Sequence, residues 1–372
     1  MATRTTGADE QVTDLHLVDC DIHVVYKEER DVAKHLPRRY RKRGVTLSAA
    51  PYANPTGNVI RQDVVPDEDR RIARDRPFGK YSPPLESYQE HLLDTFDIEY
   101  GVITGYTNLM GLAGVPNRDY AGALARAANE WIREEWLSAD DRFVGSILVA
   151  PQHPDRSVEL IEEYGDDPDF VQVVMSTGTQ GLLGRPQFWP IYEAAEDAGL
   201  PIALHSGISG PTLTQTVPGG FPATYFEFHN QMPLKYMAHL NSLVCEGVFV
   251  EYPDLHFVFV EGGIAWLPHL LWRMDKNWKG LRTQAPWLER PPSEYILDQV
   301  RLTTQPIEEP PKPAYLKQIF EMIDAERTVM FSSDFPHWDG DSPTHGLPNL
   351  PADLKRRILS DTARELYDLP ER

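Results

Sequence analysis

Apolar residues recur along this chain in two alternating rhythms. Short runs that are apolar at nearly every position alternate with longer stretches in which apolar residues return every three or four positions. The short runs read as strands covered on both faces, the longer ones as amphipathic helices. The strands are expected at LVDCDIHVV (17–25), YGVITGY (100–106), FVGSILVA (143–150) and FVQVVMS (170–176), then at PIALHSG (201–207), LHFVFVEGG (255–263), VRLTTQP (300–306) and TVMFSSDFP (328–336). Helical spacing runs through DYAGALARAANEWIREEWL, PDRSVELIEEYG, FWPIYEAAEDAGL and PADLKRRILSDTARELYDL. The glycine of AAEDAGL is a helix stop, and the Pro-Asp of PDRSVEL is a helix start. Strand–helix alternation over the whole length predicts a parallel sheet, and eight such units are the count of a single (β/α)8 TIM-type barrel. An open doubly wound sheet would carry a glycine-rich phosphate loop after an early strand, and no such loop is present in the sequence.

Two stretches break the rhythm. Residues 1–14, MATRTTGADEQVTD, are polar and are expected to be disordered, leaving 15–372 as the barrel domain. Residues 45–87, rich in Pro, Asp and Arg, form a long insertion after the first strand. A loop leaving the C-terminal end of a barrel strand stands beside the active-site face, so this segment is expected to be a lid or partner-contact element.

Composition narrows the class. Fifty-six acidic residues against 36 basic ones give a formal charge of −20, which disfavours binding to a phosphate backbone and speaks for a well-solvated surface or adaptation to salt. Two cysteines cannot form a disulfide framework, and no apolar run reaches the roughly 20 residues of a membrane span. These features fit a cytoplasmic protein without nucleic-acid or membrane partners.

The chemistry sits at the ends of the expected strands. Alternation along LVDCDIHVV puts Asp19, Asp21 and His23 on one face of a strand otherwise built for burial. A buried carboxylate needs a partner, and a metal ion is one. His205 ends the fifth strand, Glu261 the sixth and Asp334 the eighth, with His337 just beyond. The C-terminal ends of barrel strands converge on one opening, so Asp21, His23, His205, Glu261 and Asp334 are expected to surround a common point. His229, in YFEFHNQ, is a further candidate ligand. Imidazole with carboxylate suits zinc, manganese or iron, as one or two ions. His239 reads instead as a packed core histidine, and His153 as a residue that could line the pocket.

Four segments, DIHVV, ALHSG, the run at 247–275 from GVFVEYPDL to LLWRMD, and FSSDFPHWDGD, carry a resemblance to the amidohydrolase superfamily. The similarity is to the branch that includes amino-carboxymuconate semialdehyde decarboxylase and γ-resorcylate decarboxylase. It covers about residues 15–368. It implies a divalent metal at the strand ends, with Asp21, His23 and His205 as ligands and Asp334 both binding metal and taking a proton from bound water. It also implies a homo-oligomer. Two positions depart from the family pattern. Asp21 stands where His or Glu is usual, and Glu261 stands where the decarboxylases carry histidine.

The expected function is therefore metal-assisted hydrolysis of a small amide, ester, thioester or lactone. Asp334, Glu261 and His205 are the expected catalytic groups, with Glu261 able to hold a second ion or serve as acid/base. The alternatives are non-oxidative decarboxylation of an aromatic or unsaturated acid, a dinuclear manganese or iron centre that activates dioxygen, and a barrel subunit of a hetero-oligomer.

Overall fold

The computed structural model describes residues 16–45, 83–106, 109–179, 181–206, 225–337, 339–344, 347 and 350–372. The expectations for residues 1–14 and for most of the 45–87 insertion lie outside these residues.

Eight strands form one parallel sheet in sequential order: β1 Leu17–Val24, β2 Ile98–Tyr106, β3 Phe143–Leu148, β4 Phe170–Ser176, β5 Ile202–His205, β6 Phe257–Val260, β7 Val300–Thr303 and β8 Val329–Met330. The edge between last and first strands is closed by backbone bonds. Cys20 N–H donates to Phe331 O at 2.9 Å, His23 N–H to Phe335 O at 2.8 Å, and Asp334 N–H to Asp21 O at 3.1 Å. A closed barrel leaves no strand edge unpaired, which satisfies the backbone of every strand. All eight residues of β1 are buried, as expected of a strand packed on both sides.

Local sequence explains the helices that follow. Asn117 caps Arg118–Ile132 by accepting from Tyr120 N–H at 3.0 Å, and the apolar stripe of that helix packs on the barrel. Pro154 opens Pro154–Tyr164, where its missing N–H costs nothing, and the His153 ring accepts from Arg156 N–H at 3.4 Å. Gly199, at φ 68°, ends the turn after Trp189–Asp197. Fully buried Leu, Ile and Phe side chains each contribute about 1.5–3 kcal/mol, so the ring of helices is held by its inward faces.

The eighth strand is shorter than its sequence suggests. The apolar run at 328–336 yields only two strand residues. Beyond Met330 the chain binds β1 through the bonds above while turning at Asp334, whose φ is 57°. Its pairing with β7 ends at Met330, and the backbone enters the left-handed region at Asp334. Among the described residues, no helix is long and apolar enough to cross a membrane.

Candidate metal centre

At the C-terminal mouth of the barrel, β1, β5, the turn after β6 and the segment after β8 bring six side chains together. His23 lies at the heart of the group. Its Nε2 is 3.0 Å from Asp334 Oδ1, 3.1 Å from His205 Nε2, 3.7 Å from Asp21 Oδ2 and 3.8 Å from Glu261 Oε1. His205 Nε2 is 3.6 Å from Asp21 Oδ2 and 3.8 Å from Glu261 Oε2. Two overlapping sets, Asp21–His23–His205–Glu261 and His23–Glu261–Asp334–His337, each offer ligand atoms within 4.8 Å of one another. Five of the six, Asp21, His23, His205, Glu261 and Asp334, are residues whose convergence was expected from the strand ends.

The donors fit a divalent ion. Both oxygens of Asp21 and Oδ2 of Asp334 are buried with no hydrogen-bond partner, a costly arrangement for carboxylates unless a cation completes it. Separations of 3.6–3.8 Å are too long for hydrogen bonds and suit atoms that share one ion. His205 Nδ1 donates to Ser206 O at 2.5 Å, which fixes the tautomer and leaves Nε2 with a lone pair toward the centre.

Charge is balanced tightly within the group. Burial, the largest influence on His23, opposes its protonation, as does His337, yet Asp21 and Asp334 outweigh both and raise it to about 9. His205 is raised in the same way by Glu261 and Asp21 against burial. Burial pushes Asp334 upward, but His337 and His23 hold it well below the usual carboxylate range; Asp21 is lowered by His205 and His23. The raised imidazoles and the lowered carboxylates thus hold one another in their charged forms.

Backbone geometry aims the acids. Glu261 and Asp334 both have left-handed φ, 62° and 57°, a conformation that costs an ordinary residue about 1–2 kcal/mol. Glu261 is held there by a rigid turn. Its N–H donates to Thr303 Oγ1 at 3.3 Å, Trp266 Nε1 donates to Gly262 O at 2.9 Å, and Glu308 accepts from Ile264 N–H and Ala265 N–H at 3.1 and 3.0 Å.

Three residues join the site unannounced by strand periodicity. His337 Nδ1 lies 2.7 Å from Asp334 Oδ1, because the turn at Asp334 brings a residue three positions on back toward the mouth. The signal was the histidine of SSDFPH, which the strand-end argument left just outside. Gly105, paired with His23 across β1 and β2, leaves space for the imidazole: a Cβ there would sit 2.1 Å from His23 Nδ1. Lys235, on the helix Tyr225–Cys245, is buried; burial draws its ammonium down to about 8 against the opposing charge of Glu261.

The other candidates sit apart. His229 Nε2 faces Asp339 Oδ2 at 3.1 Å and belongs to neither ligand set. Asp19 does not share the fate of Asp21. Its Oδ1 accepts from Ser333 N–H at 2.9 Å and Asp21 N–H at 3.2 Å, and burial raises it to about 7. Register shifts in β1 between Asp19 and Ile22 break the strict alternation that had put the two on one face. His239 is the packed residue expected, its Nδ1 accepting from Leu183 N–H at 3.3 Å and its Nε2 donating to Thr177 O at 2.9 Å.

Known proteins are similar to this chain in sequence and in fold. The chain is 26% identical over 257 residues to the γ-resorcylate decarboxylase of Rhizobium sp. (strain MTP-10005), covering 66% of this chain and 75% of the relative. The crystal structure of 5-carboxyvanillate decarboxylase from Sphingomonas paucimobilis superposes with a TM-score of 0.70 at 21% identity, covering 96% of this chain and all of the other. That of 5-carboxyvanillate decarboxylase from Novosphingobium aromaticivorans, complexed with manganese and a nitrobenzoic acid, gives 0.67 at 18%, covering 99% and 100%. At these identities the two structures speak to the fold, which they share. The amidohydrolase family model runs through residues 18–369, from β1 to the C-terminal helix, and with nearly the whole barrel matched the chain belongs to the amidohydrolase family.

Proposed function

We propose that the protein is a metal-dependent, non-oxidative decarboxylase of a hydroxylated aromatic carboxylic acid. One observation carries the reading: the cluster of Asp21, His23, His205, Glu261 and Asp334 stands in a chain whose curated relatives are γ-resorcylate decarboxylases. This reverses the order expected from sequence, in which hydrolysis came first.

Asp21, His23 and His205 would hold the ion, with Asp334 and Glu261 closing the set. A bound divalent ion such as manganese supplies Lewis acidity that fixes the substrate's oxygens and offsets their charge. The chain's own residues then have a proton to deliver. Loss of CO2 requires the ring carbon bearing the carboxylate to gain a proton. The His337–Asp334 pair, joined at 2.7 Å, is the proton reservoir: burial works against the imidazolium, but Asp334 and Glu261 keep it charged well above its ordinary range. Proton transfer to the ring carbon forms the new C–H bond. The electrons of the ring–carboxyl bond then return to the ring, CO2 departs, and water restores the proton. Arene carboxylate plus one proton gives arene plus CO2, so no oxidant is needed.

Hydrolysis of a small ester, amide, thioester or lactone is the second reading. It is favoured by Glu261, a carboxylate within 3.8 Å of both metal-facing histidines where the resembling decarboxylases have histidine. One experiment separates the two. Manganese-loaded enzyme is given a panel of hydroxybenzoates and a panel of acyl substrates, with and without chelator. Chelator-sensitive CO2 release from a hydroxybenzoate is the expected result. Ester or amide turnover with no CO2 from any aromatic acid would overturn the decarboxylase reading.

A further inference from the structure

The ladder between β5 and β6 ends on one register pair, His205 with Val260. Both strands stop there, and Glu261 follows at once in its left-handed turn, with φ 62°. The ladder therefore holds His205 but does not extend to Glu261. A left-handed glutamate persists only where its surroundings over-determine it.

Tyr236, on the helix Tyr225–Cys245, stands at that end of the ladder. Its hydroxyl donates to Val260 O and takes a backbone hydrogen bond from Ser206. It thus ties the peptide that follows His205 to the peptide that precedes Glu261. The ring lies against the next link in the chain. A Cβ at Gly262 would stand 3.1, 3.2 and 3.4 Å from three of its carbons, so the ring rests on the backbone just after Glu261. One side chain holds Glu261 from both sides.

The helix gives the tyrosine a fixed base. One turn on, His239 donates to Thr177 O at 2.9 Å and accepts from Leu183 N–H at 3.3 Å, and Ser242 Oγ accepts from Gly184 N–H at 3.2 Å. Tyr236 is fully buried, with its ring centre 5.9 Å from that of Phe259. Burial, with Glu261 and Asp21 adding to it, raises the phenol well above its ordinary range. The group is a neutral donor and acceptor, and its two backbone partners set its direction.

We propose that Tyr236 is a positioning residue: it holds Glu261 in the turn that aims its carboxylate at the ion, and so sets the affinity of the centre and the symmetry of its ligand field. It touches no substrate in this role. The inference concerns the metal centre alone and holds for decarboxylation and hydrolysis alike.

The test reads the ion directly. Manganese affinity and the electron paramagnetic resonance spectrum of bound manganese(II) are measured for wild type, Y236F, E261Q and the double variant, with Y367F as control. Tyr367 also buries a hydroxyl, which donates at 2.9 Å to Gln172 on β4, a strand that brings no ligand to the centre. Y236F should weaken manganese roughly ten- to hundredfold, as loss of a residue behind a metal ligand commonly does, and change the zero-field splitting of the ion. Y367F should leave both at wild-type values even if its melting temperature falls as far. In the E261Q background Y236F should weaken manganese by less than about threefold, because the residue it acts through is already gone. Wild-type affinity in Y236F, an equal loss in Y367F, or as large a loss in the E261Q background as alone would each overturn the proposal. Should Y236F not fold, Gly262→Ala decides. It keeps the hydroxyl but displaces the ring, so manganese affinity should fall severalfold, and an unchanged affinity refutes the proposal.

Discussion

Two polar clusters lie inside this barrel, and they differ in one respect. On the inward sides of β2, β3 and β4, Gln172 Nε2 donates to Thr104 Oγ1 at 3.1 Å and Ser146 Oγ at 2.9 Å, while Gln172 Oε1 accepts from Tyr367 OH at 2.9 Å. Thr104 and Ser146 pass their own protons to Cys20 O and Ile103 O at 3.0 and 2.9 Å. That network is complete. At the mouth, Asp21 and Asp334 keep carboxylate oxygens without a hydrogen bond. Both clusters are buried, so burial of polar groups does not mark a site. What marks it is unmet demand for a cation: the closed network holds the barrel, and the open one is kept for an ion.

The sharpest way to break this comparison is Asp21→Asn. It removes the charge of a carboxylate that contributes no hydrogen bond to the fold, so bound manganese and CO2 release should fall to background while the melting temperature of metal-free protein does not drop. Elemental analysis beside calorimetry checks this; a large loss of stability would make Asp21 a structural residue.

Next in size are two residues that act on the ligands. His337→Gln should lower metal affinity or turnover by about 10–100-fold, as loss of a partner to a metal ligand commonly does. Gly105→Ala should displace the His23 ring, costing about 1–3 kcal/mol of stability by overpacking. A crystal structure of Gly105→Ala with His23 unmoved would remove the steric argument.

Acidity supplies a smaller, graded effect. The His23 pKa is raised to about 9 in the metal-free site, so below that pH the ring carries a proton that metal must expel. Affinity should climb by at least about tenfold per pH unit through the neutral range, since His205 is raised as well, and flatten above about pH 9. Proton release in buffers of different ionisation enthalpy measures it, and a pH-independent affinity would contradict the assignment of His23 as a ligand.

The smallest effect on the site is expected from the other cluster. Gln172→Leu leaves Thr104, Ser146 and Tyr367 short of a partner and should cost about 1–3 kcal/mol of stability. Metal per folded chain should be unchanged. Loss of metal there would show that the two clusters are not independent.

Much of this was legible from residue order. The apolar runs and helical stretches named eight strands and their helices because both periods are local: each residue's face follows from its few neighbours. The same logic placed Asp21, His23, His205, Glu261 and Asp334 at strand ends, and a parallel barrel brings such ends to one mouth. The chain could not reveal which buried acid would find backbone donors. Asp19 and Asp21 look alike in LVDCDIH, yet a register shift gives one two backbone N–H groups and leaves the other bare. Nor could it show that Gly105 makes room for His23 or that a left-handed turn at Asp334 recruits His337. Those relations join residues distant in the chain or hang on a single dihedral, and they exist only once closure of the barrel has fixed where each strand end points.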